Sequence, residues 1–228
     1  MKNLFKKIFG RKTTSTDTDN LIGGVIPPSV YDLIIEYEVG GKSYYNKRLA
    51  KPTYPGGASG VTIGIGYDLG YKNHAQFKND WGDILDAKTF SRLDKQIGKK
   101  RDDAKAAVSS LRDIKISWND AEKVFRTVTL PRFVQRTKRA FPGSANLHPV
   151  VFGVLVSLVF NRGGSMRGGS RKEMAAIRDI IASGKADGKT YKQIASEIRS
   201  MKRLWRNKGL DGLLKRRDAE AKLIDSVA

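Results

Sequence analysis

The stretch Ser59–Tyr71, SGVTIGIGYDLGY, decides how this chain is read. Glycine normally weakens a strand interior, because it costs entropy and leaves nothing to pack. In an extended run, Val61, Ile63, Ile65 and Tyr67 face one way and Thr62, Gly64, Gly66 and Asp68 the other. The first set makes a core face. The second has no bulk between a hydroxyl and a carboxylate, which leaves space for something large. A straight strand would hold Thr62 and Asp68 ~20 Å apart, too far to act on one bond. If both serve one site, the chain bends at Gly64–Gly66, as glycine permits. The competing reading is a glycine-rich hairpin with a turn-capping aspartate.

Upstream lies IPPSVYDLIIEYEVGG. Ser29 with Asp32 three residues on resembles a capping box, Val30, Leu33, Ile34 and Tyr37 recur at helical spacing, and Gly40–Gly41 stops the helix. At ~100° per residue Glu38 borders the apolar stripe, whereas Glu36 falls on the solvent side. Glu38 also sits in the last turn, where the negative end of the helix dipole opposes ionisation. Desolvation and dipole therefore favour a protonated Glu38, as a general acid near neutral pH requires. A glutamate merely bordering a core is the alternative. Residues 42–71, with their tyrosines, prolines and glycines, read as a small β-rich lobe at about 40–75. From Asp86 onward the pattern is helical, with segments at 87–97, 101–112, 118–139, 149–161, 171–183, 190–205 and 211–226. The expected fold is α+β: a small β-rich lobe joined to a larger, mostly helical lobe, with a cleft between them as the natural ligand site.

Composition bounds the function. The chain has 228 residues, 39% hydrophobic and 29% charged, which suits a soluble globular protein. It has no cysteine, which excludes a disulfide scaffold and a thiolate zinc site. The only histidines are His74 and His148, and His148, next to Pro149, reads as a helix-start residue. No H-E-x-x-H, G-x-S-x-G or P-loop is present, so neither a metal nor another cofactor is expected. The net charge of +20 draws the protein to polyanions without choosing among them. With no RNP, helix-turn-helix or zinc-finger pattern, a specific nucleic-acid partner is not indicated, and a monomer is expected. A non-catalytic basic protein binding nucleic acid or the cell envelope is the alternative from another class. The longest apolar run, Pro149–Phe160, is twelve residues against roughly twenty needed to span a bilayer, and reads as a buried core helix. Residues 1–20 read as a basic leader, MKNLFKKIFGRK, followed by a polar linker, and 21–228 as one folded domain. Lysines interrupt the leader's apolar run, so it lacks a signal-peptide core, while Leu4, Phe5, Ile8 and Phe9 make one face through which residues 2–12 can meet an anionic membrane or lipopolysaccharide.

At this point the residues resemble a family. E-V-G-G-x-x-Y-Y followed by G-V-T-I-G-I-G is similar to the catalytic glutamate and T-I-G-x-G hairpin of phage-type lysozymes and endolysins, which cut peptidoglycan glycan strands. LVSLVFNRGGS (155–165) resembles that family's buried helix and F-N-x-G turn, and GLDGLLKRRDAEAKLI (209–224) its C-terminal helix, so the resemblance runs in order from about residue 29 to 226. Two departures stand out: residues 42–61 contain no acidic residue, and the usual histidine after the hairpin is Tyr67. Asp68, six residues after Thr62, matches a pesticin-like placement of the second carboxylate, with Asp80 or Asp83 as fallback. The resemblance implies an N-acetylmuramidase in which Glu38 protonates the glycosidic oxygen, Asp68 serves the water or the oxocarbenium-like state, and Thr62 orients that water. It implies sugar contacts at Gly64, Gly66, Tyr67 and Asn161. A lytic transglycosylase, needing only the acid glutamate, is the alternative within glycan cleavage. Such a protein is expected to be made in the bacterial cytoplasm without a signal peptide and to act on the wall in the periplasm, in host lysis or after secretion.

Overall fold

The computed structural model describes residues 20–228, so the leader, with the membrane contact expected of residues 2–12, and the linker up to residue 19 lie outside the described residues. Among the described residues the protein is mostly helical with one small two-stranded antiparallel sheet. The chain divides into two compact units, one formed by the residues up to Tyr37 with Pro131–Ala228, the other by Glu38–Leu130.

Helix α1, Pro28–Val39, carries the first boundary inside its last turn. Gly40 and Gly41 end it with positive φ angles of 63° and 78°, a conformation glycine adopts without steric cost. The Glu38–Leu130 unit continues through a short helical turn, Gly41–Tyr44, into a wider π-type turn, Tyr45–Leu49. Then come β1 (Thr62–Ile63), β2 (Tyr67–Asp68), α2 (His74–Trp81), α3 (Ala87–Asp94), α4 (Arg101–Val108) and α5 (Trp118–Val124). Side-chain oxygens start three of these helices: Asn73 with Gln76 in a capping box on α2, Asp86 on α3 and Ser117 on α5. Tyr45 is fully buried against the edge of Trp118, ring centroids 5.4 Å apart, and its hydroxyl donates to the Ile116 carbonyl. A π-type turn, Phe125–Thr129, comes just before Pro131, whose missing N–H cannot serve the carbonyl four residues earlier.

The β content is smaller than residues 40–75 suggested. Pairing is confined to two residues on each side, plus a single bridge between Thr53 and Thr62. Residues 41–49 are helical instead, and the left-handed glycines at 56, 57, 64 and 66 break up extended pairing. Helix α2 was not foreseen, whereas the helical segments from residue 87 onward lie within a few residues of those read from periodicity.

The other unit contains α6 from Pro131 onward (Leu130–Ala140), α7 (Pro149–Arg162), α8 (Lys172–Ala182), α9 (Gly188–Ser200) and α10 (Asp211–Asp225). Helix α7 is buried continuously from Val150 to Val159, so its all-round apolar sequence marks a central helix. His148 caps it, its Nδ1 accepting from the Val150 amide. At Gly153 an added Cβ would lie 3.1 Å from Val30 Cγ1, so this glycine sets the close approach of α1 and α7. Facing α7, the α10 residues Arg216, Arg217 and Glu220 are buried with Ser157. Ser157 Oγ donates to Glu220 Oε1 at 2.7 Å, and both guanidinium groups reach the same oxygen. Tyr37 packs beside Arg216, and burial together with the Glu220 and Glu36 carboxylates pushes its phenol up to about 12. No helix among the described residues is long and apolar enough to cross a membrane.

Candidate functional site

The glycine-spaced run folds back on itself. Thr62 pairs with Asp68 and Ile63 with Tyr67 in antiparallel register, and the Leu69 amide donates to the Val61 carbonyl at 2.9 Å. The turn is made by Gly64 and Gly66, at φ 57° and 69°. Residues directly opposite in such a pair have Cα atoms roughly 4.5–5.5 Å apart, against the ~20 Å of a straight strand. The bend thus brings the hydroxyl and carboxylate residues together. Val61, Ile63, Ile65 and Tyr67 are all buried, as the alternation demands.

The glycines do not all leave room for a ligand. A Cβ on Gly64 would meet Trp81 Cη2 at 3.2 Å and Ala121 Cβ at 3.4 Å, so the space beside Gly64 is filled by the core and not held for a sugar. Gly66 is exposed. Tyr67, expected at the substrate, is only 2% exposed: its ring meets the edge of Trp81 at 5.6 Å and its hydroxyl donates to Asp80 Oδ2 at 2.8 Å. Both Tyr67 and the fallback carboxylate Asp80 are therefore committed to the core of this unit. Asp83 is exposed. Asn161 lies in the other unit, at the end of α7, where its Oδ1 accepts from Arg217 at 3.2 Å.

Asp68 is the turn-capping aspartate of the competing reading, and it also clasps the chain before the hairpin, which the sequence did not reveal. Its Oδ1 accepts from the Gly60 amide at 2.9 Å and the Gly70 amide at 2.8 Å, while Oδ2 lies 3.2 Å from Gly60 N. This caps the 3₁₀ turn Leu69–Tyr71 and draws the chain before β1 onto the chain after β2. A Cβ on Gly60 would lie 2.4 Å from Gly70 N, so the closeness requires glycine. The segment behind it joins in: the Arg101 amide donates to the Ser59 carbonyl and the Gly98 amide to the Leu69 carbonyl. A carboxylate has about four lone-pair sites, so Oδ2 keeps acceptor capacity. Thr62 exchanges backbone hydrogen bonds with Thr53 at 2.8 and 2.9 Å. Its hydroxyl has only a long 3.5 Å contact to the Gly60 carbonyl, which leaves it able to exchange that contact for a water.

Glu38 is half-buried in the last turn of α1, within the same compact unit as the hairpin. Glu36, expected on the solvent side, is half-buried as well. Its Oε2 is enclosed without a hydrogen-bond partner among the described residues, and burial pushes its carboxyl above the usual range. The helix wheel alone missed this, because it takes no account of what packs beside the polar face. Near the clasp, Tyr71 is 60% exposed yet held in place, its hydroxyl on the Ala58 carbonyl and the Lys100 ammonium 3.8 Å from its ring centroid. Lys72 lies over the Tyr67 ring at 4.6 Å, which adds a second cation to this edge. No grouping of histidine and acidic side chains suited to a metal ion occurs among the described residues.

Residues 35–141, just under half of the chain, are similar to a family described as a domain of unknown function, DUF8812. That match includes Glu38, the hairpin and the whole Gly60–Asp68–Gly70 clasp, and extends through α6. No curated protein matches the chain.

Proposed function

We propose that the protein is a peptidoglycan glycan-strand hydrolase, an N-acetylmuramidase acting by two-carboxylate chemistry. The observation carrying this reading is the register of the hairpin, which sets Thr62 opposite Asp68 across a glycine bend in the compact unit that begins at Glu38. Glu38, protonated, donates to the oxygen bridging N-acetylmuramic acid and N-acetylglucosamine. Asp68, oriented by the Gly60 and Gly70 amides, offers Oδ2 to a water or to the positive charge developing at the anomeric carbon. The Thr62 hydroxyl orients that water. An inverting outcome requires the two carboxyl groups to stand ~6.5–9.5 Å apart, with the water between them. The positive charge of the chain favours approach to the acidic wall polymer. The setting that fits is the periplasmic wall, reached during host lysis or secretion.

A second reading, lytic transglycosylase, has its own support. The same amides that orient Asp68 give it a sufficient structural role, and without Asp68 in the chemistry Glu38 alone satisfies a transglycosylase. The products separate the two. Purified Gram-negative peptidoglycan digested by the protein should yield muropeptides with reducing N-acetylmuramic acid ends, identified by mass spectrometry. Anhydro ends would move the activity to transglycosylase. Absence of cleavage on a substrate that an ordinary lysozyme digests would leave a basic binding protein.

A further inference from the structure

In the unit containing Pro131–Ala228, α6 and the end of α7 enclose an open cavity of about 390 Å³, towards the small end of the ~300–1,000 Å³ typical of ligand sites. Phe133, Ala140 and Val159 make its apolar floor, Arg136 and Arg139 stand on its rim, and the Gly163–Gly164 turn closes one edge. Both arginines are exposed. The surrounding sequence is one-sided: residues 131–172 hold eight lysines and arginines and no aspartate or glutamate. The crowding reaches Arg162 beside the turn, where burial and the charges of Arg171 and Arg217 lower its pKa to about 10. An apolar floor within a cationic rim is complementary to an amphiphile with an anionic head. It suits nucleic acid less well. Phe133, packed against Phe160 with centroids 4.2 Å apart, is the one aromatic ring lining it, whereas single-strand grooves stack successive bases on several aromatic side chains.

We infer that this groove is a docking site for an anionic lipid surface, with the phosphate headgroups on Arg136 and Arg139 and the upper acyl chain over Phe133 and Val159. The inference is independent of the glycan-cleaving reading. It assigns envelope contact to the folded body in addition to the leader.

The test uses the full chain and vesicles of phosphatidylglycerol mixed with phosphatidylcholine. Arg136→Gln with Arg139→Gln should weaken vesicle binding about tenfold or more. The charge-matched control, Lys105→Gln with Arg112→Gln at exposed positions of the other unit, should change it far less. Because the chain has no cysteine, Ala140→Cys takes a single environment-sensitive fluorophore, whose emission should shift to the blue on these vesicles and not on phosphatidylcholine alone. Equal losses in the two double variants would overturn the inference, showing that only overall charge matters. So would an unshifted fluorophore, or a loss by the groove variant confined to single-stranded oligonucleotide binding. Circular dichroism of each variant guards against misreading an unfolded one, and the exposure of the four substituted cations makes loss of fold unexpected in the double variants.

Discussion

Asp68 carries two demands that one substitution pattern can separate. Its Oδ1 receives both the Gly60 and Gly70 amides, with a longer contact from Gly60 to Oδ2, and an asparagine oxygen can receive both. Asp68→Ala leaves two amides unserved and should cost on the order of 2 kcal/mol by chemical denaturation. Asp68→Asn should cost less than half of that, while both variants lose glycan cleavage. An Asp68→Asn protein with undiminished activity would leave the residue a structural clasp only. Glu36 makes a different prediction. Its folded pKa is raised by burial, so its favourable contribution is complete below the unfolded value of ~4.5 and is lost as pH rises through the folded value. Glu36→Gln should therefore stabilise the protein at pH 7 and have no such effect near pH 4. Paired denaturation curves at the two pH values check both the sign and the window.

At the scale of elements, what could be read from sequence was periodicity, and what could not was register. Val61, Ile63, Ile65 and Tyr67 alternate and are all buried, and the need for a bend followed from placing Thr62 and Asp68 on one face. Nothing in the alternation says that Gly64 abuts Trp81, seventeen positions on, or that Gly60 touches Gly70; such long-range contacts leave no local pattern. The glycine-rich, tyrosine-rich stretch before the hairpin favoured strands in the reading, yet left-handed glycines limit the ladder to four residues. Helix α2 escaped because eight residues with Phe77 and Trp81 as the only apolar anchors show too little period. Its capping box, Asn73 with Gln76, was the available signal. Asn73→Ala should cost about 1 kcal/mol, measurable as a lowered urea midpoint. A wild-type midpoint would mean that the Phe77–Trp81 packing alone holds the helix.

Across the whole molecule, the two compact units use charge in opposite ways. The Pro131–Ala228 unit buries charge and pairs it internally. Arg216 and Arg217 converge on Glu220, with Ser157 completing the set. The Arg217 Nε and Glu220 Oε2 atoms lie 2.9 Å apart without hydrogen-bond alignment, so the aligned Nη2 bond at 3.1 Å is the better measure of that contact. This cluster was visible in sequence only as the spacing R-R-x-x-E, which puts the three side chains within one turn of a helix face. The Glu38–Leu130 unit keeps its candidate acid and hydroxyl half-buried, where they can meet solvent and ligand. If Glu38 is the acid of a glycan-cleaving site, release of reducing ends from purified peptidoglycan should separate the wild-type protein and Glu36→Gln from Glu38→Gln. The wild-type rate should fall by about 10²–10⁴ in Glu38→Gln and change only a few-fold in Glu36→Gln. Full activity in Glu38→Gln, or an equal loss in Glu36→Gln, would contradict it.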